Sequence, residues 1–161
     1  MKNKKAIPWI FLSAFIIALD QFTKYLVLCH ITRHTVIRIF PFLNFILSFN
    51  AGASFGFLGA QNGWQIYLLS GVSITVSVIL IVWLCYLKRS EWMTALPVSL
   101  VLGGALGNLI DRIRFGFVTD FVDFHIGHWH FATFNVADSA VSVGATWLVL
   151  RLLYESFTRK S

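Results

Sequence analysis

The sequence predicts a mainly α membrane protein: one integral membrane domain, built as a four-transmembrane-helix bundle with short strand-like segments at one end. Three observations carry this. Hydrophobic residues make up 57% of the 161-residue chain and charged residues only 12%, a balance outside that of ordinary soluble domains. The 16 Phe and 6 Trp suit lipid-facing surface and interfacial belts better than a small aqueous core. Long apolar runs recur along the chain, each sufficient to cross a hydrocarbon layer about 30 Å thick.

The first run follows the basic leader Met1-Lys2-Asn3-Lys4-Lys5. Such a start resembles a secretory signal peptide, but the apolar pattern continues through Asp20-Gln21-Phe22-Thr23-Lys24 without an A-x-A-like cleavage site. An uncleaved spanning helix over residues 8–28 is therefore expected, with Asp20 and Lys24 on one face and able to pair. Residues 35–56 change character. Val36–Phe40 and Leu43–Phe49 are short β-branched and aromatic runs around Pro41, which read as strands. Asn50-Ala51-Gly52-Ala53-Ser54-Phe55-Gly56 follows as a small-residue loop.

The second span is expected over 64–87, free of charge and closed by Lys88-Arg89-Ser90-Glu91. The third covers 92–113, where Gly103, Gly104 and Gly107 permit close helix packing. Asn108, Asp111 and Arg112 share a face near its end. Residues 116–133 leave the helix again, with Phe117–Phe124 and Trp129–Phe134 reading as two strands around a turn. The fourth span is expected over 134–153.

Four spans place both termini on one side. Lys2, Lys4, Lys5, Lys88, Arg89, Arg151, Arg159 and Lys160 then gather at that side, which the positive-inside rule makes cytoplasmic. The net charge of +6 is thus a matter of membrane orientation; no basic stripe or RNA-binding motif accompanies it, and no nucleic-acid partner is expected. Cys29 and Cys85 fall near opposite faces, too far apart to form a disulfide.

In this topology every aspartate (Asp20, Asp111, Asp120, Asp123, Asp138) lies in the outer half, and Glu91 and Glu155 lie on the cytoplasmic side. The inner half is nearly bare of polar groups, with Ser73, Thr75 and Ser77 the main exceptions. Two carboxylates that share a proton divide the work of hydrolysis: the ionised one takes a proton from water and the protonated one polarises a carbonyl. Asp120, on a strand, and Asp138, at the start of the fourth helix, are the expected pair. Helix caps and Asp–Arg pairs, Asp111 with Arg112 among them, are the plain structural alternative for each residue taken singly. The five histidines (His30, His34, His125, His128, His130) compete as a zinc constellation through Asp123-x-His125-x-x-His128-x-His130. No HExxH or cysteine ligand pair supports it, and neither metal nor cofactor is expected. A small transporter component, with the outer Asp, Arg and Lys as an ion path, and a purely structural subunit are the rival readings. A path across the full depth would need polar groups in the inner half.

Five ordered motifs carry a family resemblance: Asp20-Gln21-Phe22-Thr23-Lys24, Asn50–Gly56, Gly103–Arg112 (GGALGNLIDR), Gly116–Phe121 (GFVTDF) and Phe134–Ser139 (FNVADS). Together they resemble the bacterial lipoprotein signal peptidases, signal peptidase II. The resemblance implies an aspartyl endopeptidase of the bacterial inner membrane that cuts prolipoproteins just before a diacylglyceryl-modified Cys. It implies a small extracytoplasmic sheet cradling the site, a short helix near residues 57–64, and lateral entry of substrate from membrane lipid. Asp120 and Asp138 would be catalytic. Asn50, Asn108, Arg112 and Asn135 would hold substrate or support the site, with Asp20, Lys24, Gly104 and Asp111 as further motif residues. Inhibition by the cyclic peptide globomycin, and a monomeric enzyme, are expected with it.

Overall fold

The computed structural model describes residues 6–52 and 63–158. Four helices are long and apolar enough to cross a membrane: α1 (Ile10–His30), entered through a 3-10 turn at Ile7–Trp9, α2 (Trp64–Tyr86), α3 (Trp92–Phe115) and α4 (Val136–Thr158). A four-stranded antiparallel sheet in the order β1 (Ile37–Phe40), β2 (Leu43–Asn50), β3 (Val118–Ile126) and β4 (Trp129–His130) closes one end. The short helix expected near 57–64 falls largely on residues outside the described ones.

Helix α3 is the hub. It packs against α1, α2 and α4, and 61% of its apolar window is buried, against 28% or less in the other three. Its glycines explain why. A Cβ on Gly104 would collide with the carbonyl oxygen of Ala137, and one on Gly103 would stand 2.8 Å from Ile16 Cβ. Helix backbones can approach this closely only where no side chain intervenes. At the far end from the sheet, Leu80, Leu84, Ala95, Val98 and Leu102 form a dry core, and the Ala6 N–H donates to Leu87 O at 3.0 Å, joining the entry of α1 to the exit of α2.

The turn from α3 into the sheet depends on Gly116. Its φ of 76° lies in the left-handed region, and its N–H closes the helix on Arg112 O at 3.0 Å, the usual glycine C-cap geometry. Strand β3 then runs antiparallel to β2 with Ser48 opposite Asp120 and Asn44 opposite Asp123. Phe121 turns towards α1 and packs with Val27, Ile31 and Phe45.

Three expectations about the elements need adjusting. The run 129–134 is not one strand: only Trp129–His130 pairs as β4, followed by an isolated bridge between Phe134 and Val122. Phe134 O accepts from both Phe121 and Val122 N–H groups, which pins that residue to the sheet. Helix α4 accordingly begins at Val136, not 134, and continues to Thr158, with an Arg151–Glu155 pair on its last turns. The half of the bundle away from the sheet, expected to be nearly bare, also holds more polar groups than Ser73, Thr75 and Ser77. Ser13 donates to Ser99 O at 2.8 Å, Ser99 to Ala95 O at 2.7 Å, and Arg151 bonds the Thr94 hydroxyl.

Candidate active site

The polar cluster lies where α1, α3, β3 and the start of α4 converge. Lys24 is its electrostatic centre. One helical turn above Asp20, its Nζ stands 2.8 Å from Asp20 Oδ2 and 3.1 Å from Asp111 Oδ2, and it donates to Asn108 Oδ1 at 3.0 Å. An ammonium has three donors, and here each has an acceptor. All three charged groups are buried, where a lone charge would be very costly.

That arrangement fixes Asn108. Its Oδ1 accepts from Lys24 and also from Asn135 Nδ2 at 3.1 Å, so its amide nitrogen is left to donate to Asp138 Oδ1 at 2.7 Å. Asn135, fully buried, is the junction. Its Nδ2 donates to Asp120 Oδ1 at 2.7 Å, its backbone N–H to Asp138 Oδ2 at 3.3 Å, and its Oδ1 accepts from Asp138 N–H at 2.9 Å. The last two bonds form a capping box, in which residues three apart satisfy each other's backbone groups at a helix start. Asp20 Oδ1 accepts the Ala137 N–H at 2.9 Å, satisfying another first-turn donor.

Asp120 is held from both sides, since Asn50 Nδ2 reaches its other oxygen at 3.2 Å. Asn50 is fixed in turn by the Gly52 N–H, which donates to its Oδ1 at 3.0 Å. Burial pushes the Asp120 carboxyl up to about 7 from 3.8, and the negative charge of Asp138 pushes the same way; the Asn50 and Asn135 amides and Lys24 oppose them. Around neutrality this group is therefore poised between its two forms.

Of the sequence-selected residues, Asp20, Lys24, Asn50, Asn108, Asp111, Asp120, Asn135 and Asp138 join one hydrogen-bonded network. Gly104 carries no polar group and instead lets α4 sit against α3. Asp111 does not pair with Arg112: its Oδ2 takes the Thr119 N–H at 3.0 Å as well as Lys24, tying α3 to the strand residue before Asp120. Arg112 instead reaches Gly52 O at 3.3 Å, and its buried Nε has no partner among the described residues. Asp123 lies three along β3 from Asp120, hence on the opposite face. There it pairs with His130 Nδ1 at 2.8 Å and accepts from Asn44 at 3.0 Å. Among the described residues no cluster of His, Cys, Asp and Glu is arranged to hold a metal.

Sequence reasoning passed over Gln21, whose Nε2 donates to Asp111 Oδ1 at 2.8 Å and Gly107 O at 3.2 Å. Its place beside Asp20 was the available signal. Asn44 became visible only through the β2–β3 register.

Apolar spanning helices with an amide-held carboxylate pair at one end define a multi-pass membrane aspartyl peptidase. Residues 12–154 match the family model for signal peptidase (SPase) II, and the chain belongs to that family. It is 54% identical over 152 residues to a lipoprotein signal peptidase of Coxiella burnetii (strain Dugway 5J108-111), covering 94% of this chain and 93% of that one. The lipoprotein signal peptidase of Escherichia coli O6:K15:H31 is 41% identical over the same shares. A bacterial membrane enzyme structure obtained by the in meso method at 2.3 Å resolution superposes with a TM-score of 0.86 at 29% identity, covering 97% of this chain and 94% of that one.

Proposed function

We propose that this protein removes the signal peptide from prolipoproteins whose Cys at the cleavage site already carries diacylglycerol, hydrolysing the peptide bond just before that Cys. The observation that carries the assignment is Asn135, which bonds Asp120 through its side chain and Asp138 through both its backbone N–H and its side-chain oxygen.

In this mechanism Asp138 is the general base. It sits in the first turn of α4, where the helix dipole and two N–H donors favour an anion. Asp120 carries the proton and hydrogen-bonds the scissile carbonyl oxygen. Water between them attacks the carbonyl carbon and gives a proton to Asp138, while Asp120 donates its proton to the developing oxyanion. As the tetrahedral intermediate collapses the C–N bond breaks and the Cys nitrogen leaves with the proton held by Asp138. The hydroxyl proton returns to Asp120, and the pair is restored. Asn50, Asn108 and Asn135 keep the carboxylates oriented, Arg112 bonds substrate backbone, and Asp20, Lys24 and Asp111 hold the base of the site rigid.

The sheet end faces outward from the cytoplasmic membrane, both termini face the cytoplasm, and the enzyme works as a monomer bathed in lipid. A globomycin-type cyclic peptide would occupy the same carboxylate pair. An ion path gains no support, because Ser13, Thr75 and Ser99 each spend their hydroxyls on backbone carbonyls.

The test is cleavage of a diacylglyceryl-modified prolipoprotein by purified protein with EDTA present. Scission at the Cys is expected, with no activity in Asp120→Asn or Asp138→Asn although both variants fold. Full activity in either would overturn the pairing.

A further inference from the structure

Asp120 and Asp138 stand on different elements, β3 and α4, and each follows a residue whose backbone N–H is held by a carboxylate of another helix. Asp20 Oδ1, on α1, accepts the Ala137 N–H at 2.9 Å, and Asp111 Oδ2, on α3, accepts the Thr119 N–H at 3.0 Å. The spacing of Asp20 and Asp111 is thus carried, one residue along the chain, into the spacing of Asp138 and Asp120.

Two side chains bridge Asp20 and Asp111, and both belong to α1. Lys24 Nζ lies 2.8 Å from Asp20 Oδ2 and 3.1 Å from Asp111 Oδ2. Gln21, three residues earlier and on the same side of the helix, spans the same pair with a neutral amide. Its Nε2 stands 2.8 Å from Asp111 Oδ1, 3.3 Å from Asp20 Oδ2 and 3.2 Å from Gly107 O. Gly107 lets these groups meet, since a Cβ there would stand 2.8 Å from Asp20 Oδ2.

The two bridges differ in what they can fix. Lys24 also serves Asn108, and an ammonium acts as a point charge that leaves the plane of a carboxylate free to turn. An amide N–H is directional. Gln21 is the donor to Asp111 Oδ1 among the described residues, whereas Oδ2 has both Lys24 and the Thr119 N–H. Asp111 is 1% exposed, so a bare Oδ1 is costly. Without Gln21 the carboxylate turns to share its donors differently, and the bond to Thr119 is the one at risk.

We propose that Gln21 is a positioning residue: it fixes the Asp111 carboxylate against Asp20 and, through Thr119, sets where Asp120 stands relative to Asp138. This rests on the peptidase reading and deepens it.

The test needs a readout that lost stability alone would not move. The charged groups facing Asp120 are Asp138 on α4, Lys24 on α1 and Arg112 on α3. The charge of Asp138 is among the causes that raise the Asp120 carboxyl to about 7, and that push weakens as the two groups separate. In Gln21→Met, kcat should fall by roughly 10- to 100-fold, as for a misplaced reacting group, at unchanged KM. The alkaline limb of its pH profile should lie below that of wild type. Gln21→Glu keeps the length but turns a carboxylate on Asp20 and Asp111, so its kcat at neutral pH should be lower still. Leu84→Ala, in the dry core at the far end of the bundle, is the control: its Tm should fall while the limb stays. A Gln21→Met enzyme that keeps the wild-type kcat and limb, with or without a loss of Tm, would overturn the assignment, as would a fully active Gln21→Glu. Wild-type cleavage of a diacylglyceryl prolipoprotein reports separately on the peptidase reading. One readout needs no cleavage at all: the native stability lost between about pH 4 and 7 should be smaller in Gln21→Met than in wild type, and an equal loss would also overturn the role given to Gln21.

Discussion

Asn135 and Asp138 hold each other across the first turn of α4, each accepting the other's backbone N–H at 3.3 and 2.9 Å. The same two side chains reach outward to Asp120 and Asn108. A helix cap and the proposed reaction centre are therefore one object. Replacing Asn135 by Ala should cost about 1 kcal/mol as a lost cap and lower kcat by roughly 100-fold or more, at the lower end of general acid–base contributions. Asn135→Asp keeps an acceptor for the Asp138 N–H but sets a third carboxylate beside the pair, so its Tm should stay closer to wild type while its kcat falls as far. Thermal melts and steady-state kinetics on both variants check this.

In the proposed mechanism the Asp120 carboxyl, at about 7, sets the alkaline limb of the pH profile. That mechanism needs its proton, so kcat/KM should fall as pH rises through about 7. In an enzyme whose acid sat at an ordinary carboxyl value the fall would begin several units lower. A profile flat from 6 to 9 would contradict the role given to Asp120.

Stability should move with the same group. Its folded-state value lies above the ordinary 3.8, so between about 4 and 7 the native state holds a proton that the unfolded chain has lost. Native stability therefore drops as pH rises across that window, by roughly 4 kcal/mol in full. Asp120→Asn cannot ionise. It should melt several degrees above wild type at pH 8, the two should converge at pH 4, and it should be inactive throughout. Paired melting curves at the two pH values test the sign.

Lys24→Met removes the cation that stands between Asp20 and Asp111. Leaving buried charges unpaired costs about 3–5 kcal/mol, so Tm should fall steeply. Asn108 loses one of the two donors that orient it, which should weaken substrate handling more than turnover. A variant with wild-type Tm and KM but collapsed kcat would show that Lys24 acts in the chemistry itself.

Gly104→Ala drives a methyl group into Ala137 O. Backbone cannot yield as a flexible side chain does, so α4 must shift, at a cost of about 1–3 kcal/mol or more. Because Asp138 is the next residue, kcat should fall together with Tm. Gly71→Ala, where a Cβ meets nothing within 4 Å, serves as the neutral control.

The spanning helices were legible because hydropathy and length are local properties of the chain. Asp120 and Asp138 were legible as isolated acids near the ends of apolar runs. They were also expected as a pair, but the particular bonds between them were not legible, since these pass through an Asn135 side chain and an Asn108 orientation that depend on four elements meeting. The structural alternative of an Asp111–Arg112 pair rested on sequence adjacency, and the structure does not form it. On the helix, adjacent side chains point about 100° apart, and the Lys24 ammonium lay across the bundle instead. The end of the sheet was misread for a similar reason. The composition of 129–134 suits a strand, but Phe134 is claimed by two N–H donors of β3, and that tertiary demand has no local signature.

The contact between Gly104 and the Ala137 carbonyl also limits how the enzyme can diversify. Two helix backbones in direct touch leave no side chain between them to trim or enlarge, so the carboxylate on α4 has almost no freedom to be re-aimed by mutation at that seam. Asp120 rides on a strand whose register with β2 is broken by a bulge between Phe45 and Ser48. Variation in what the enzyme accepts should therefore accumulate in the sheet. Libraries built to change its selectivity should leave the α3–α4 seam alone and draw from that surface.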